Sequence, residues 1–160
     1  MDQHDLATKQ AQTDNWFHGR GKLVYDPVRP GLKSKNKWWV VVELDRGITD
    51  YYRWWVNKEI LNPLGFERKG LQMPAWGAHM SIVRGEQPRP DKLHLWNKYN
   101  GETVDFRYSY VVRQSGDTTG GDRPDVFWFV DSICAKGKAL RDELGFPSNW
   151  KFHITVGRTY

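Results

Sequence analysis

Two short segments of the chain carry the same order of hydrophobic and polar positions. Residues 76–84 and 150–158 both read W-x-x-H-x-[ST]-[IV]-x-R. Because successive side chains of a strand point to opposite faces, each segment predicts a strand with an apolar core face and a polar face. The polar faces carry one imidazole and one hydroxyl each, from His79 and Ser81 in the first copy and from His153 and Thr155 in the second. Side by side, two such strands would form a site with two histidines and two hydroxyl groups.

The arginine that ends each copy is expected to face away from this site. Arg84 and Arg158 lie an odd number of positions after the histidines, so regular alternation places them on the opposite face. An ion pair or a hydrogen bond to a carbonyl at the strand end is the favoured role. Phosphate steering is the alternative.

The elements that precede the two segments repeat as well. Residues 37–44 are rich in β-branched and aromatic side chains and predict a buried strand, and 49–60 predict a helix with Thr49 as its cap. Residues 126–144 repeat this order, a strand and then a helix from 133 with Ser132 as its cap. Both helices lead into Leu-Gly-Phe, where glycine can take the left-handed conformation that ends a helix.

The duplication predicts an α+β fold of two pseudo-symmetric lobes, each an antiparallel sheet with a helix, around a central cleft. Residues 1–15 are polar and are expected to form a disordered tail, so that 16–160 form a single bilobal domain. Further segments predict strands at 22–26 and 102–113, a short helix at 91–99 and a loop at 114–124.

Composition narrows the class of protein. The chain has 160 residues, 39% of them hydrophobic, and its one cysteine, Cys134, excludes an intramolecular disulfide and a cysteine-based zinc site. No stretch approaches the roughly 18 apolar residues of a membrane span, and the N-terminus has no apolar signal segment. We therefore expect a soluble, cytoplasmic protein with no membrane association and no obligate protein partner.

Charge and aromatic content favour a nucleotide ligand. A net charge of +5 together with 9 Trp, 7 Tyr and 7 Phe residues suits phosphates and stacked bases, although most of the rings are expected in the core. Lys33 and Lys35 lie in a basic loop that could cover a polyphosphate, and a merely solvated loop is the alternative. The candidate rings for base stacking are Tyr25, Trp76 and Trp150, and for both tryptophans structural packing is favoured.

The duplicated H-x-[ST] strands, each preceded by a strand, a helix and Leu-Gly-Phe, resemble the 2H phosphoesterase superfamily. This superfamily includes RNA 2′,3′-cyclic phosphodiesterases and LigT-like enzymes, and the resemblance covers residues 37–160. The small size and the basic, aromatic composition are most similar to its phage branch, which includes an anti-CBASS nuclease that degrades cyclic oligonucleotide immune signals. The resemblance implies a metal-independent phosphodiesterase of cyclic di- or trinucleotides without a cofactor, in the host cytoplasm if a phage encodes it. The catalytic residues that it implies are His79, Ser81, His153 and Thr155.

Two histidines suit the cleavage of a ribose phosphodiester because imidazole titrates near neutral pH. One can remove the proton of the 2′-hydroxyl while the other protonates the leaving 5′ oxygen, and two hydroxyls can donate hydrogen bonds to the phosphoryl oxygens. The sequence does not say which histidine is the base. No H-x-x-x-H or carboxylate pattern supplies further ligands for a metal. The alternatives are an RNA 2′,3′-cyclic phosphodiesterase or RNA-repair enzyme, and a non-catalytic module that sequesters nucleotides.

Overall fold

The computed structural model describes residues 15–28, 31–63, 71–74, 77–116 and 126–159. The strands within these ranges are β1 (Phe17–Tyr25), β2 (Trp39–Leu44), β3 (His79–Arg84), β4 (Thr103–Gly116), β5 (Val126–Ile133) and β6 (Phe152–Thr159). The helices are α1 (Arg46–Val56), which continues into a π-helical turn (Asn57–Leu61), a 3₁₀ helix (Pro90–Leu95) and α2 (Ala135–Glu143). No helix in the described part of the chain combines the length and the apolar character that crossing a membrane requires.

The strands pair antiparallel and close into a barrel in the order β1-β2-β3-β6-β5-β4. Exchanging β1 with β4, β2 with β5 and β3 with β6 leaves the same strands as neighbours around the barrel. The duplication in the sequence is therefore present in the strand pairing too. The predicted α+β class and antiparallel pairing are confirmed. The two halves nevertheless share one closed sheet, because β1 pairs with β4 as well as with β2.

A row of apolar side chains crosses the sheet on one face and forms the centre of the core. Its members are register partners on five neighbouring strands and are 0% exposed, namely Leu23, Val42, Met80, Ile154 and Val130. α2 packs on this face, where a Cβ at Gly137 would lie 2.6 Å from Cδ1 of Ile82. The helices also cross between the halves, since α1 contacts β6 and α2 contacts β3. The histidines of β3 and β6 therefore lie on the other face of the sheet.

The first helix begins earlier than predicted. Its cap is Asp45, whose carboxylate accepts a hydrogen bond from the Gly47 amide at 2.6 Å. Thr49 is instead a buried residue inside the helix, and its hydroxyl donates to the Arg46 carbonyl. Asp and Thr are both good caps, so the local pattern did not decide between the two positions.

The second helix begins later than predicted because β5 continues to Ile133. Ser132 pairs with residues of β4 and β6 as part of the sheet, and Cys134 takes the cap position in its place. The end of this helix is as predicted. Gly145 has a φ of 78°, the left-handed conformation that glycine adopts without steric cost.

The strand predicted at 22–26 is longer because the first half of β1 pairs with β4. A Cβ at Gly19 would lie 2.5 Å from the Phe106 ring, so the pairing of β1 with β4 requires glycine at this position. The local sequence pattern gives no information about this contact with β4. The helix predicted at 91–99 is a 3₁₀ helix followed by turns. Some predicted features lie outside the described residues: Leu-Gly-Phe at 64–66, Trp76, the tail apart from Asn15, and the loop beyond Gly116, where β4 ends.

Candidate active site

The four predicted catalytic residues lie on one face of two neighbouring strands. β3 and β6 pair antiparallel with Met80 opposite Ile154. Continuing this register by one residue on either side places His79 opposite Thr155, and Ser81 opposite His153. All four are partly buried, whereas Met80 and Ile154 between them are 0% exposed on the core face. The pairing thus joins each histidine to the hydroxyl residue of the other copy.

The strands on either side add a second set of neighbours on the same face, since register partners point to the same side of a sheet. On β2, Glu43 lies opposite His79 and Val41 opposite Ser81. On β5, Phe129 lies opposite Thr155 and Asp131 opposite His153. Each histidine therefore has a carboxylate residue opposite it on the flanking strand. This symmetry extends the duplication beyond the two motifs.

Both arginines of the repeated pattern face the site, contrary to the expectation from regular alternation. Val40 and Val41 are adjacent on β2, but their partners on β3 are Val83 and Ser81, so the ladder passes over Ile82. This β-bulge turns two successive side chains to the core, and Ile82 and Val83 are both 0% exposed. The alternation restarts after the bulge, and Arg84 therefore shares the face of Ser81.

The second copy carries the same bulge. Trp128 pairs with Gly157 and Phe129 with Thr155, so the ladder passes over Val156. Arg158 then lies opposite Phe127, on the same face as Phe129 and Thr155, and its guanidinium lies 5.0 Å from the Phe127 ring centroid. The local sequence gives no signal for a bulge, which is why alternation placed both arginines wrongly.

Burial and charge lower the pKa of both histidines. For His79 the largest cause is burial, opposed by a hydrogen bond with the Gly77 carbonyl and reinforced by the positive charge of Arg84. For His153 burial again comes first, followed by Arg84, while the negative charge of Asp131 raises the pKa and His79 lowers it. Arg84 therefore lies near enough to act on both imidazoles. Both are deprotonated more readily than a histidine in water.

The Gly77 carbonyl fixes the tautomer of His79. Nδ1 of this residue lies 2.9 Å from the Gly77 oxygen. A carbonyl oxygen can only accept, so Nδ1 donates its hydrogen, and the neutral ring carries its lone pair on Nε2. Gly77 has a φ of 74°, a backbone conformation that residues with a side chain rarely adopt.

Asp131 is held in place beside His153 by an arginine from the next strand. Nη1 of Arg113 lies 2.9 Å from Oδ2 of Asp131. The same guanidinium lies 5.5 Å from the Phe129 ring centroid, and the Phe129 ring meets the His153 imidazole edge to face at 5.3 Å. Arg113, Asp131 and Phe129 were missed from the sequence. Extending the alternation of 126–130 by one residue would have placed Asp131 on the face of Phe129.

Two of the predicted stacking rings lie away from this face. Tyr25 is 5% exposed, points to the core side of the sheet, and burial raises its pKa to about 12. The buried guanidinium of Arg141 lies over the Trp150 ring, 4.6 Å from the ring centroid. Both have the surroundings of structural residues, away from the face that carries the two histidines.

The remaining candidates for substrate binding are less constrained. Lys33 and Lys35 are exposed in the loop between β1 and β2, and Trp76 lies outside the described residues. Two open clefts of about 520 and 700 Å³ meet at residues 18–20 of β1. Phe17, Tyr51 and Tyr108 line the first, and Asp105, Arg107 and Ile133 line the second. Neither cleft is lined by the paired histidines or hydroxyl residues.

Comparisons with known proteins add no relative. No protein-family model, curated protein or solved structure matches the chain significantly. Among the described residues, no group of three or more His, Cys, Asp or Glu side chains is arranged to hold a metal ion.

Proposed function

We propose that the protein is a 2H-type phosphodiesterase that cleaves 3′–5′ linkages of ribonucleotides by acid–base catalysis between His79 and His153. The observation that carries the proposal is the β3–β6 register, which brings two imidazoles and two hydroxyls from separate halves of the chain onto one face. A histidine with a purely structural role would not require a second histidine at the equivalent position of the neighbouring strand. The symmetric strand order supports the further proposal that the barrel corresponds to the two pseudo-symmetric lobes of that superfamily.

The first step is attack of the ribose 2′-oxygen on phosphorus. One imidazole takes the 2′-hydroxyl proton as the O2′–P bond forms, and the other gives a proton to the 5′ oxygen as the P–O5′ bond breaks. The products are a 2′,3′-cyclic phosphate and a free 5′-hydroxyl. Because the two histidines lie on adjacent strands, one can exchange a proton with the attacking oxygen and the other with the leaving oxygen of the same phosphate.

Charge develops on the non-bridging oxygens of the phosphate in this step. Ser81 and Thr155 can donate hydrogen bonds to them, and the guanidinium of Arg84 supplies a positive charge whose effect reaches both histidines. Arg158 occupies the matching position on β6. Preorganised donors of this kind stabilise the transition state without reorganisation.

The second step opens the cyclic phosphate with water and restores both histidines. The imidazole that had acted as the acid takes a proton from water as the oxygen bonds to phosphorus. The other returns its proton to O2′ as the P–O2′ bond breaks, which leaves a 3′-phosphate. The proton balance closes without a cofactor.

Cyclic di- or trinucleotide signals are the substrates that we propose first, on the resemblance to the phage branch of the superfamily and on the basic, aromatic composition. The cytoplasm is the compartment in which such signals are met. Lys33 and Lys35, exposed in their loop, are proposed to contact the phosphates.

The test is product analysis by mass spectrometry in the presence of EDTA. The panel consists of cyclic di-AMP, cyclic di-GMP, a cyclic triadenylate and an RNA oligomer ending in a 2′,3′-cyclic phosphate. We expect linear products from cyclic nucleotides with the wild-type protein. Loss of either histidine should lower the rate by about 10²- to 10⁴-fold. The variants are His79→Ala, His153→Ala and, as an exposed control, His94→Ala.

Each result decides between the alternatives. Conversion of the RNA end alone would replace the proposal with RNA processing, and strong inhibition by EDTA would replace it with a metal-dependent mechanism. Binding of a panel member without turnover, unchanged in the histidine variants, would identify a sequestering module and contradict catalysis.

A further inference from the structure

The two histidines of the site have different hydrogen-bonding and charged neighbours. The imidazole of His79 is anchored by a backbone carbonyl, with Nδ1 2.9 Å from the Gly77 oxygen. The imidazole of His153 lies in register with Asp131, which is itself held by Arg113 at 2.9 Å. Each ring thus has a carboxylate residue opposite it, but the groups that act on the two rings differ.

The surroundings of His79 suit a general base. Donation from Nδ1 to a carbonyl places the lone pair of the neutral ring on Nε2, the nitrogen that would take the proton in the proposed reaction. Among the described residues, His79 faces Arg84 on its own strand, Glu43 on β2 and His153 on β6. The positive charge of Arg84 favours the neutral ring of His79. Glu43 is exposed to solvent, which screens its charge.

The surroundings of His153 suit a general acid. From β3 it faces Arg84 and His79, which oppose protonation, and from β5 it faces Asp131, which favours it. Arg113 of β4 fixes the Asp131 carboxylate, whose side chain is 39% exposed. The Phe129 ring lies edge to face against the imidazole, with the ring centroids 5.3 Å apart. A carboxylate anchored in this way stabilises an imidazolium by its negative charge.

We propose that Asp131, anchored by Arg113, is a positioning residue that makes His153 the general acid of the first step and leaves His79 as the general base. This inference rests on the proposed phosphodiesterase function. It assigns different catalytic roles to two histidines that the repeated sequence motif does not distinguish.

The test uses a leaving group that needs no proton. Replacement of the 5′-bridging oxygen by sulfur gives a thiolate that departs without a general acid, so it rescues the loss of the acid but not the loss of the base. The probes are cyclic di-AMP and the dinucleotide UpA, each beside its 5′-bridging sulfur analogue. The variants are His153→Ala, His79→Ala, Asp131→Asn and, as the matched control, Glu43→Gln, which removes the carboxylate residue opposite the other histidine.

We expect His153→Ala to lose about 10²- to 10⁴-fold on the oxygen probes and most of this loss to disappear on the sulfur probes, whereas His79→Ala stays impaired on both. Asp131→Asn should lose about 10-fold or more on oxygen and little on sulfur. Glu43→Gln should change neither rate. In an NMR titration, Asp131→Asn should lower the pKa of His153 and leave that of His79 in place.

Other results would overturn the assignment. Rescue of His79→Ala in place of His153→Ala would reverse the roles, and equal losses for Asp131→Asn on oxygen and sulfur would remove Asp131 from the acid step. Both of these outcomes leave the phosphodiesterase itself intact. A wild-type protein that cleaves neither the probes nor any member of the panel would overturn the proposed function and this inference together.

Discussion

At the scale of single residues, Arg84 links the two histidines. It follows a bulge in β3 that turns it to the polar face, and its charge lowers the pKa of both His79 and His153. In the proposed reaction the same charge is compensated by the substrate phosphate. Bound substrate should therefore favour protonation of the histidine that acts as the acid.

Arg84→Gln should raise the pKa of both histidines, because it removes a positive charge that opposes the imidazolium. Two-dimensional NMR titration of the imidazole nitrogens measures this directly. Arg20→Gln, which removes an exposed guanidinium paired with Asp105, is the control and should leave both values unchanged. Histidine pKa values that do not move in Arg84→Gln would show that the guanidinium does not act on the site.

At the scale of elements, Arg141 connects α2 to β3 and to the loop before β6. Its side chain is 1% exposed and makes a bidentate pair with Glu86 at 2.7 and 2.9 Å. It also donates to the carbonyl of Ile82 at 3.0 Å and to that of Pro147, and its guanidinium stacks on Trp150. Arg141 thus supplies a hydrogen-bond donor to the Ile82 carbonyl in the β3 bulge, and this bond connects α2 to the bulge.

Arg141→Met should destabilise the protein by about 3 kcal/mol, because it leaves Glu86 without its partner and the buried carbonyl of Ile82 without a donor. Urea denaturation followed by circular dichroism measures the loss. Arg20→Met removes an ion pair with Asp105 whose side chains are 78% and 80% exposed, and it should cost less than about 1 kcal/mol. Equal losses for the two variants would mean that Arg141 does not tie α2 to the sheet.

At the scale of the whole molecule, the barrel places its ionisable site on the face of the sheet opposite the helices. Both histidines are partly buried there and are easier to deprotonate than in the unfolded chain. A group whose pKa is lower in the folded state binds fewer protons there than in the unfolded chain. Its contribution to stability is full above the unfolded pKa of about 6.5 and is lost as the pH falls through the folded value.

The melting temperature should therefore fall between about pH 7 and pH 5, before most carboxylates titrate. The double variant His79→Gln/His153→Gln should show a shallower fall, because it has no imidazole at the site to protonate. His94→Gln, at an exposed position, serves as the control and should follow the wild type. Differential scanning calorimetry across this range measures all three. If the melting temperature of the double variant fell as steeply with falling pH as that of the wild type, protonation of the two buried rings would not be the cause of the fall.

The sequence alone determined the repeated order of strand, helix and histidine strand, the four side chains of the polar faces, and the α+β class. These features depend on local periodicity and on glycine at Gly145, both of which can be read from neighbouring residues. Alternation within each copy was enough to separate His79 and Ser81 from the core residues around them. That four such residues share one site still required knowledge of which strands pair.

Only the tertiary structure decided the closure of the barrel, the two bulges and the neighbours of each histidine. Strand pairing between β1 and β4 and between β3 and β6 joins residues far apart in the chain, and a local pattern carries no information about such partners. A bulge is fixed by the register of two strands, so Arg84 changes face for a reason that lies on β2. The difference between two histidines in nearly identical motifs has the same origin, because Asp131 and Arg113 approach His153 across the sheet.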